Sequence, residues 1–178
     1  MPEPWVPEVI DFWFGLKPEQ WWKADPDLDA EVMERFLDLW QEQSGRAVAD
    51  FLASPREALA AVILFDQLPR NMHRGHADSF ATDHMALAIA SAAIEGGYDE
   101  QLTPIERGIL YMPFQHSEDL TDQRRSISLF TALGGDQVEF ARKHHDVIER
   151  FGRFPHRNKV LGRAPRRDEL AAGDVAPW

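Results

Sequence analysis

Two four-residue signals constrain this chain more than anything else in it. Ser54-Pro55-Arg56-Glu57 and Thr103-Pro104-Ile105-Glu106 each set a hydroxyl residue three positions before a Glu, with Pro directly after the hydroxyl. At a helix start the hydroxyl accepts from a backbone N–H one turn on, and the Glu side chain reaches back to the capping residue. Pro at the first helical position forfeits nothing there, because its N–H would lack an intrahelical partner anyway. The stops are equally plain. Gly96-Gly97, Gly134-Gly135 and Gly152 follow apolar stretches of helical spacing and can take the left-handed conformation that ends a helix.

Between these marks the apolar residues recur at helical intervals. Val9, Ile10, Trp13 and Phe14 share one side of a helix from Pro7 to Gly15, and Val32, Phe36, Leu39 and Trp40 line a second. Asp27 or Asp29 can cap that second helix. The Ser54 helix carries Leu59, Val62, Ile63 and Phe65 and is predicted to end near Leu68, ahead of Pro69. Thr82 or Asp83 opens an Ala-rich helix. Pro113 is expected to interrupt the one begun at Thr103, with Ser117 as a fresh N-cap. Asp136 caps the helix that reaches Gly152, and "RRDELAA" forms a last short one. No stretch alternates with period two, and no helical-repeat signature is present. The pattern predicts an all-α chain of about seven or eight helices with antiparallel neighbours, one domain over residues 1–178, and a tail fraying from about residue 172. Trp13, Trp21, Trp22 and Trp40 are assigned to the core.

Composition excludes several functions. With 19 Lys+Arg against 30 Asp+Glu, the net charge is −11. A chain of that charge lacks the broad cationic face that nucleic acid or an anionic membrane requires. It contains no Cys, which removes disulfides, thiolate nucleophiles and Cys-based metal sites. The N-terminal "MPEPWVPEVIDFWFG" has acids and Pro where a signal peptide needs basic residues and a long apolar run. A cytoplasmic location is expected, with no membrane partner.

Three segments set polar groups where the helical pattern does not call for them. "FDQLPRNMHRG" brings Asp66, Arg70, Asn71 and Arg74. "YMPFQHSEDL" brings His116 and Glu118. "RFGRFPHRNKVLGR" brings Arg153, His156, Arg157, Asn158 and Arg163, a cationic stretch in an acidic chain. With antiparallel neighbours and a turn at Pro113–His116, all three segments follow helices of one direction, so a composite pocket is expected. Arg offers a fork of donors for carboxylate or phosphate. His116 and His156 can titrate near neutrality, and Asp66 and Glu118 can act as bases or orient a histidine. The same residues can instead form an ion-pair network that only orients loops, which is the favoured reading of the charges alone. No metal site is indicated. His144 and His145 lie on different helix faces, and His116, Glu118 and His156 carry no metal-ligand spacing. No cofactor fingerprint is present.

"ILFDQLPRNMHRG…FATD", "YMPFQHSEDLTDQ" and "FGRFPHRNKVLGR", with the opening "VIDFWFG" and "WW…LDAEVMERF", resemble the motifs of a bacterial family of unknown function, DUF924, over nearly the whole chain. The resemblance implies a TPR-like α-α superhelix and no established activity. One departure is Ala164-Pro165, where the family continues with Ser or Thr before an acidic helix start. Three functions follow for the three segments. One is an enzyme of hydrolase or lyase type, binding a small anionic substrate through the arginines. A second is a helical module that clamps a carboxylate or an acidic peptide. The third is a scaffold whose polar turns are structural. The histidines and carboxylates beside the arginines favour a small-ligand pocket over a peptide groove.

Overall fold

In the computed structural model, which describes residues 3–176, every regular element is helical. Helix α1 spans Trp5–Gly15, two residues earlier than the sequence predicts, and buries Val9, Ile10 and Trp13. Helix α2 spans Pro26–Gln43. Its cap is Asp25, not Asp27 or Asp29, and one Asp25 carboxylate oxygen accepts from the N–H groups of Asp27 and Leu28. Asp25 wins because Pro26 then occupies the first helical position. Helix α3 spans Pro55–Val62, and Ser54 Oγ accepts from Glu57 N–H at 3.1 Å as the capping signal predicts.

The helix does not stop before Pro69. It widens into a π segment, Ile63–Gln67, and runs on as α4, Leu68–Met72. Pro69 has no N–H to give the carbonyl of Phe65, four residues back. That carbonyl accepts instead from the Thr82 hydroxyl at 2.7 Å, and Thr82 Oγ in turn accepts from the Trp40 indole. A side chain from another helix thus satisfies what the proline orphans, and the whole π segment is buried.

Helix α5, Asp83–Glu95, begins after Thr82 and ends at Gly96. Helix α6 spans Pro104–His116 and passes through Pro113, so the expected interruption there does not occur. Its start has the predicted box, with Glu106 Oε2 accepting from Thr103 N–H at 2.9 Å. The chain turns at residues 117–119 instead. Asp119, not Ser117, caps helix α7, Leu120–Leu133, while Ser117 Oγ accepts from Asp119 N–H inside the turn. Helix α8 spans Gln137–Phe151 and ends at Gly152, whose φ of +65° is the left-handed stop. Helix α9 is Arg167–Ala172. Where Ala164-Pro165 withholds a capping hydroxyl, Glu169 reaches back to Arg166 N–H at 2.7 Å. Of the tail expected to fray, Gly173 to Ala176 have no regular structure, and residues 177–178 lie outside those described.

The chain divides into two compact units between Leu110 and Tyr111. In the first unit α1 packs on α3, α2 on α4, and α3 on α5, around Trp13, Phe36, Phe51, Phe65 and Leu59. In the second, α7 packs on α8, and Phe114, Phe130 and Phe154 are fully buried. The core assignment fails for Trp22, which is 54% exposed with its ring edge-on to Trp21. No helix among the described residues is long and apolar enough to cross a membrane.

Candidate functional site

The first unit pairs its polar candidates locally. Asp66, on the π segment, is fully buried. The Arg70 guanidinium lies 3.5 Å from it and also donates to the Asp66 carbonyl, and the Gln67 amide donates to the Asp66 carboxylate. Arg70 reaches further, with two parallel 3.0 Å bonds to the Asp83 carboxylate. The next residue, Asn71, donates to Asp29 at 2.8 Å, and Arg74 grips the same carboxylate at 2.6 and 2.9 Å. Burial pushes the Asp29 carboxyl up, but the bonds from Arg74 and Asn71 outweigh it and hold it below the usual range. Asp29, read from the sequence as a helix cap, is the counter-ion of a loop more than forty residues away. Asp83 was likewise legible only as a helix start.

The second unit ties its cationic stretch into a lattice. Glu118 accepts from Arg163 at 2.7 and 3.0 Å and from Phe154 N–H at 2.6 Å. Arg163 also donates to Asn158 Oδ1 and to the Phe154 carbonyl, each at 3.0 Å. Asn158 passes the chain on to Glu169 at 2.9 Å. Glu169 accepts two bonds from Arg153, at 2.6 and 2.8 Å. Burial raises the Glu118 carboxyl, yet Arg163 and the Phe154 N–H hold it below its ordinary value. Glu169 is drawn down to about 2, first by Arg153 and then, against the cost of burial, by the Arg166 N–H. Glu169 is the residue the sequence reading missed. Its signal was present, a Glu at the third position of a short helix with no hydroxyl cap.

Three histidine rings and Phe154 gather in tilted and edge-on contacts. The His116 and His144 ring centres lie 6.5 Å apart, His144 and Phe154 5.6 Å, and Phe154 and His156 5.5 Å. The buried Arg157 guanidinium sits 4.5 Å over the Phe154 ring. Burial pushes His144 down to about 3, and its Nδ1 is committed to the Phe140 carbonyl at 2.7 Å. Burial, with the Arg157 charge beside it, pushes His156 down to about 4. His156 is therefore a neutral imidazole at physiological pH, not the group titrating near neutrality that the sequence suggests. A metal on His116, Glu118 and His156 is disfavoured by the donor set, because Arg163 and the Phe154 N–H occupy both Glu118 oxygens.

Within this unit lies a cavity of about 600 Å³, in the size range of small-molecule sites. His156, Asn158, Lys159, Arg163, Glu169 and Asp174 supply its polar lining, and Pro155, Pro165, Leu170 and Val175 its apolar walls. Arg163 and Glu169 are already committed to carboxylate and guanidinium partners. Lys159 is exposed and makes no ion pair among the described residues.

Comparison with known proteins agrees with this fold. No curated protein matches the chain. It is similar to a solved structure, that of a protein of unknown function, ATU0120, from Agrobacterium tumefaciens, at 36% identity over 94% of this chain and 95% of that one, with a TM-score of 0.88. The family model described as bacterial protein of unknown function matches residues 9–172. Nearly full coverage by that model, with a structural match of this identity, leaves one conclusion: the chain belongs to the DUF924 family of bacterial proteins.

Proposed function

We propose that this protein binds a small anionic molecule in the cavity of its second unit, in a cytoplasmic setting, with Lys159 as the anchoring cation. One observation carries the reading: the residues lining a cavity of ligand size include Lys159, which has no ion-pair partner among the described residues, while the lining Arg163 is paired with Glu118. A scaffold alone has no need of such a cavity. A peptide clamp would need free guanidinium forks, and Arg153 and Arg163 have given theirs to Glu169 and Glu118. Arg163 and the Arg153 partner Glu169 belong to the wall, and Lys159 is the cation left for the ligand. His156 presents a neutral imidazole to the same space, suited to hydrogen bonding with a carboxylate or phosphate ester. Its low proton affinity makes binding a better supported role than acid catalysis. The chain's charge of −11 sets nucleic acid aside as the partner.

The test is a thermal-shift screen with small di- and tricarboxylates and phosphate esters. A ligand of the folded state raises the melting temperature, by about 2.7 kcal/mol of stabilisation at a hundredfold excess over Kd. Lys159→Ala is expected to weaken the responding ligand about tenfold or more while leaving the unliganded melting temperature unchanged, because an exposed Lys contributes little to stability. Arg163→Ala is expected to do the reverse first, lowering the unliganded melting temperature. A responding ligand indifferent to Lys159→Ala would overturn the assignment of the anchor.

A further inference from the structure

We propose that His145, Asp146 and Glu149 form a divalent transition-metal site on the exposed side of α8. Each residue offers one donor atom, and the three donors lie within 4.8 Å of one another. The spacing explains the convergence. Residues four apart on a helix sit one above the other, so His145 and Glu149 share a face, and Asp146 lies three residues from Glu149 on the adjoining ridge. The His145 side chain is only 15% exposed, which limits its ring motion, while the two carboxylates stand in solvent. His145 Nδ1 is 3.5 Å from Asp146 Oδ1, longer than a strong hydrogen bond.

The charge around them points the same way. Other charged groups of this helix have partners: Glu139 holds Arg142, and the Arg150 guanidinium lies over the Phe151 ring. Asp146 and Glu149 have no Arg or Lys partner among the described residues. They also lie in the last two turns of a fifteen-residue helix, whose dipole disfavours negative charge at that end. A cation held between them relieves both effects. One imidazole nitrogen with two carboxylates suits borderline ions such as Zn²⁺, Co²⁺, Ni²⁺ or Cu²⁺ better than Mg²⁺ or Ca²⁺, which prefer all-oxygen shells. Three protein donors leave the remaining positions to water. The neighbouring His144 takes no part, since it is buried and its Nδ1 is committed to Phe140.

The site is independent of the cavity, and its test is direct. Isothermal titration of the full chain with ZnCl₂ is expected to give one site, and Co²⁺ to give a visible d–d band. His145→Ala and Glu149→Gln are each expected to weaken Zn²⁺ by tenfold or more, and the exposed Glu149→Gln to do so with unchanged melting temperature in EDTA. Glu139→Gln, about two turns nearer the helix start than Asp146, is the control and is expected to change nothing. Zn²⁺ affinity weaker than millimolar, or equal affinity in wild type and His145→Ala, would overturn the proposal. Because the cavity contributes no donor, a negative result here leaves the ligand pocket standing.

Discussion

Lowering the pH from 7 to 5 is expected to destabilise the protein by about 3 kcal/mol, with the part-exposed His156 counted at less than its full share. His156 is pushed down to about 4 and His144 to about 3, in both cases chiefly by burial. The groups that act on His156 have both signs. Arg157 and Arg163 lower its proton affinity, Glu118 and Asp174 raise it, and burial prevails. In the unfolded chain a histidine takes its proton near pH 6.5. Between that value and the folded value the unfolded state binds the proton and the folded state does not. Stability is therefore fully present above pH 6.5 and is lost as pH falls, at up to about 1.4 kcal/mol per pH unit for each histidine. Glu169, held at about 2, adds a loss of the same sign from about pH 4.5 downward, as the unfolded carboxylate takes up its proton first. Urea unfolding at half-unit pH steps, with EDTA present, measures the slope. His156→Gln is expected to remove about half of it between pH 6.5 and 4.5. A slope unchanged by that substitution would mean that His156 is solvated.

Arg70→Ala is expected to destabilise the first unit by about 3–5 kcal/mol, as removal of one partner from a buried ion pair does. The carboxylate it leaves, Asp66, is fully buried, and Asp83 loses both of its guanidinium bonds. Arg70→Lys is expected to recover only part of this, because an ammonium cannot make two parallel bonds to Asp83 while reaching the Asp66 carbonyl. The contrast is Arg35→Ala. Arg35 is 39% exposed and pairs with the still more exposed Glu31 and Glu8, so the expected loss is under about 1 kcal/mol. Denaturant unfolding of the three variants separates the cases. Equal small losses for Arg70→Ala and Arg35→Ala would show the Asp66 cluster to be hydrated.

The parts of this fold that obey local rules could be read from the sequence. Ser54 and Thr103 cap where their spacing says, and Gly152 takes the positive φ that its place after Phe151 requires. Pro69 shows where local rules stop. It ought to end the helix, and it does not, because Thr82 reaches the orphaned Phe65 carbonyl from seventeen residues away. The polar segments follow the same division. Asp66, Arg70, Glu118, Asn158 and Arg163 were legible as residues needing partners. Arg70, four residues on, was a legible partner for Asp66, but the other partners were not, since Asp83 and Glu169 looked like ordinary helix-start acids and Asp29 like a cap. His156 was misjudged for a related reason. Burial sets its proton affinity, and burial is a property of the packed chain.

The cationic stretch that stands out in an acidic sequence is thus mainly internal structure, with Arg153 answered by Glu169, Arg163 by Glu118, and Arg150 and Arg157 laid over the Phe151 and Phe154 rings. A double-mutant cycle on Glu118 and Arg163, using Glu118→Gln and Arg163→Met and measured by urea unfolding of all four proteins, tests that claim most directly. Contact between the two residues predicts a coupling of about 2 kcal/mol, with each single substitution costing nearly as much as the pair. Single effects that add to within about 0.5 kcal/mol would contradict it, and would return Arg163 to the role of a free cation waiting for a ligand.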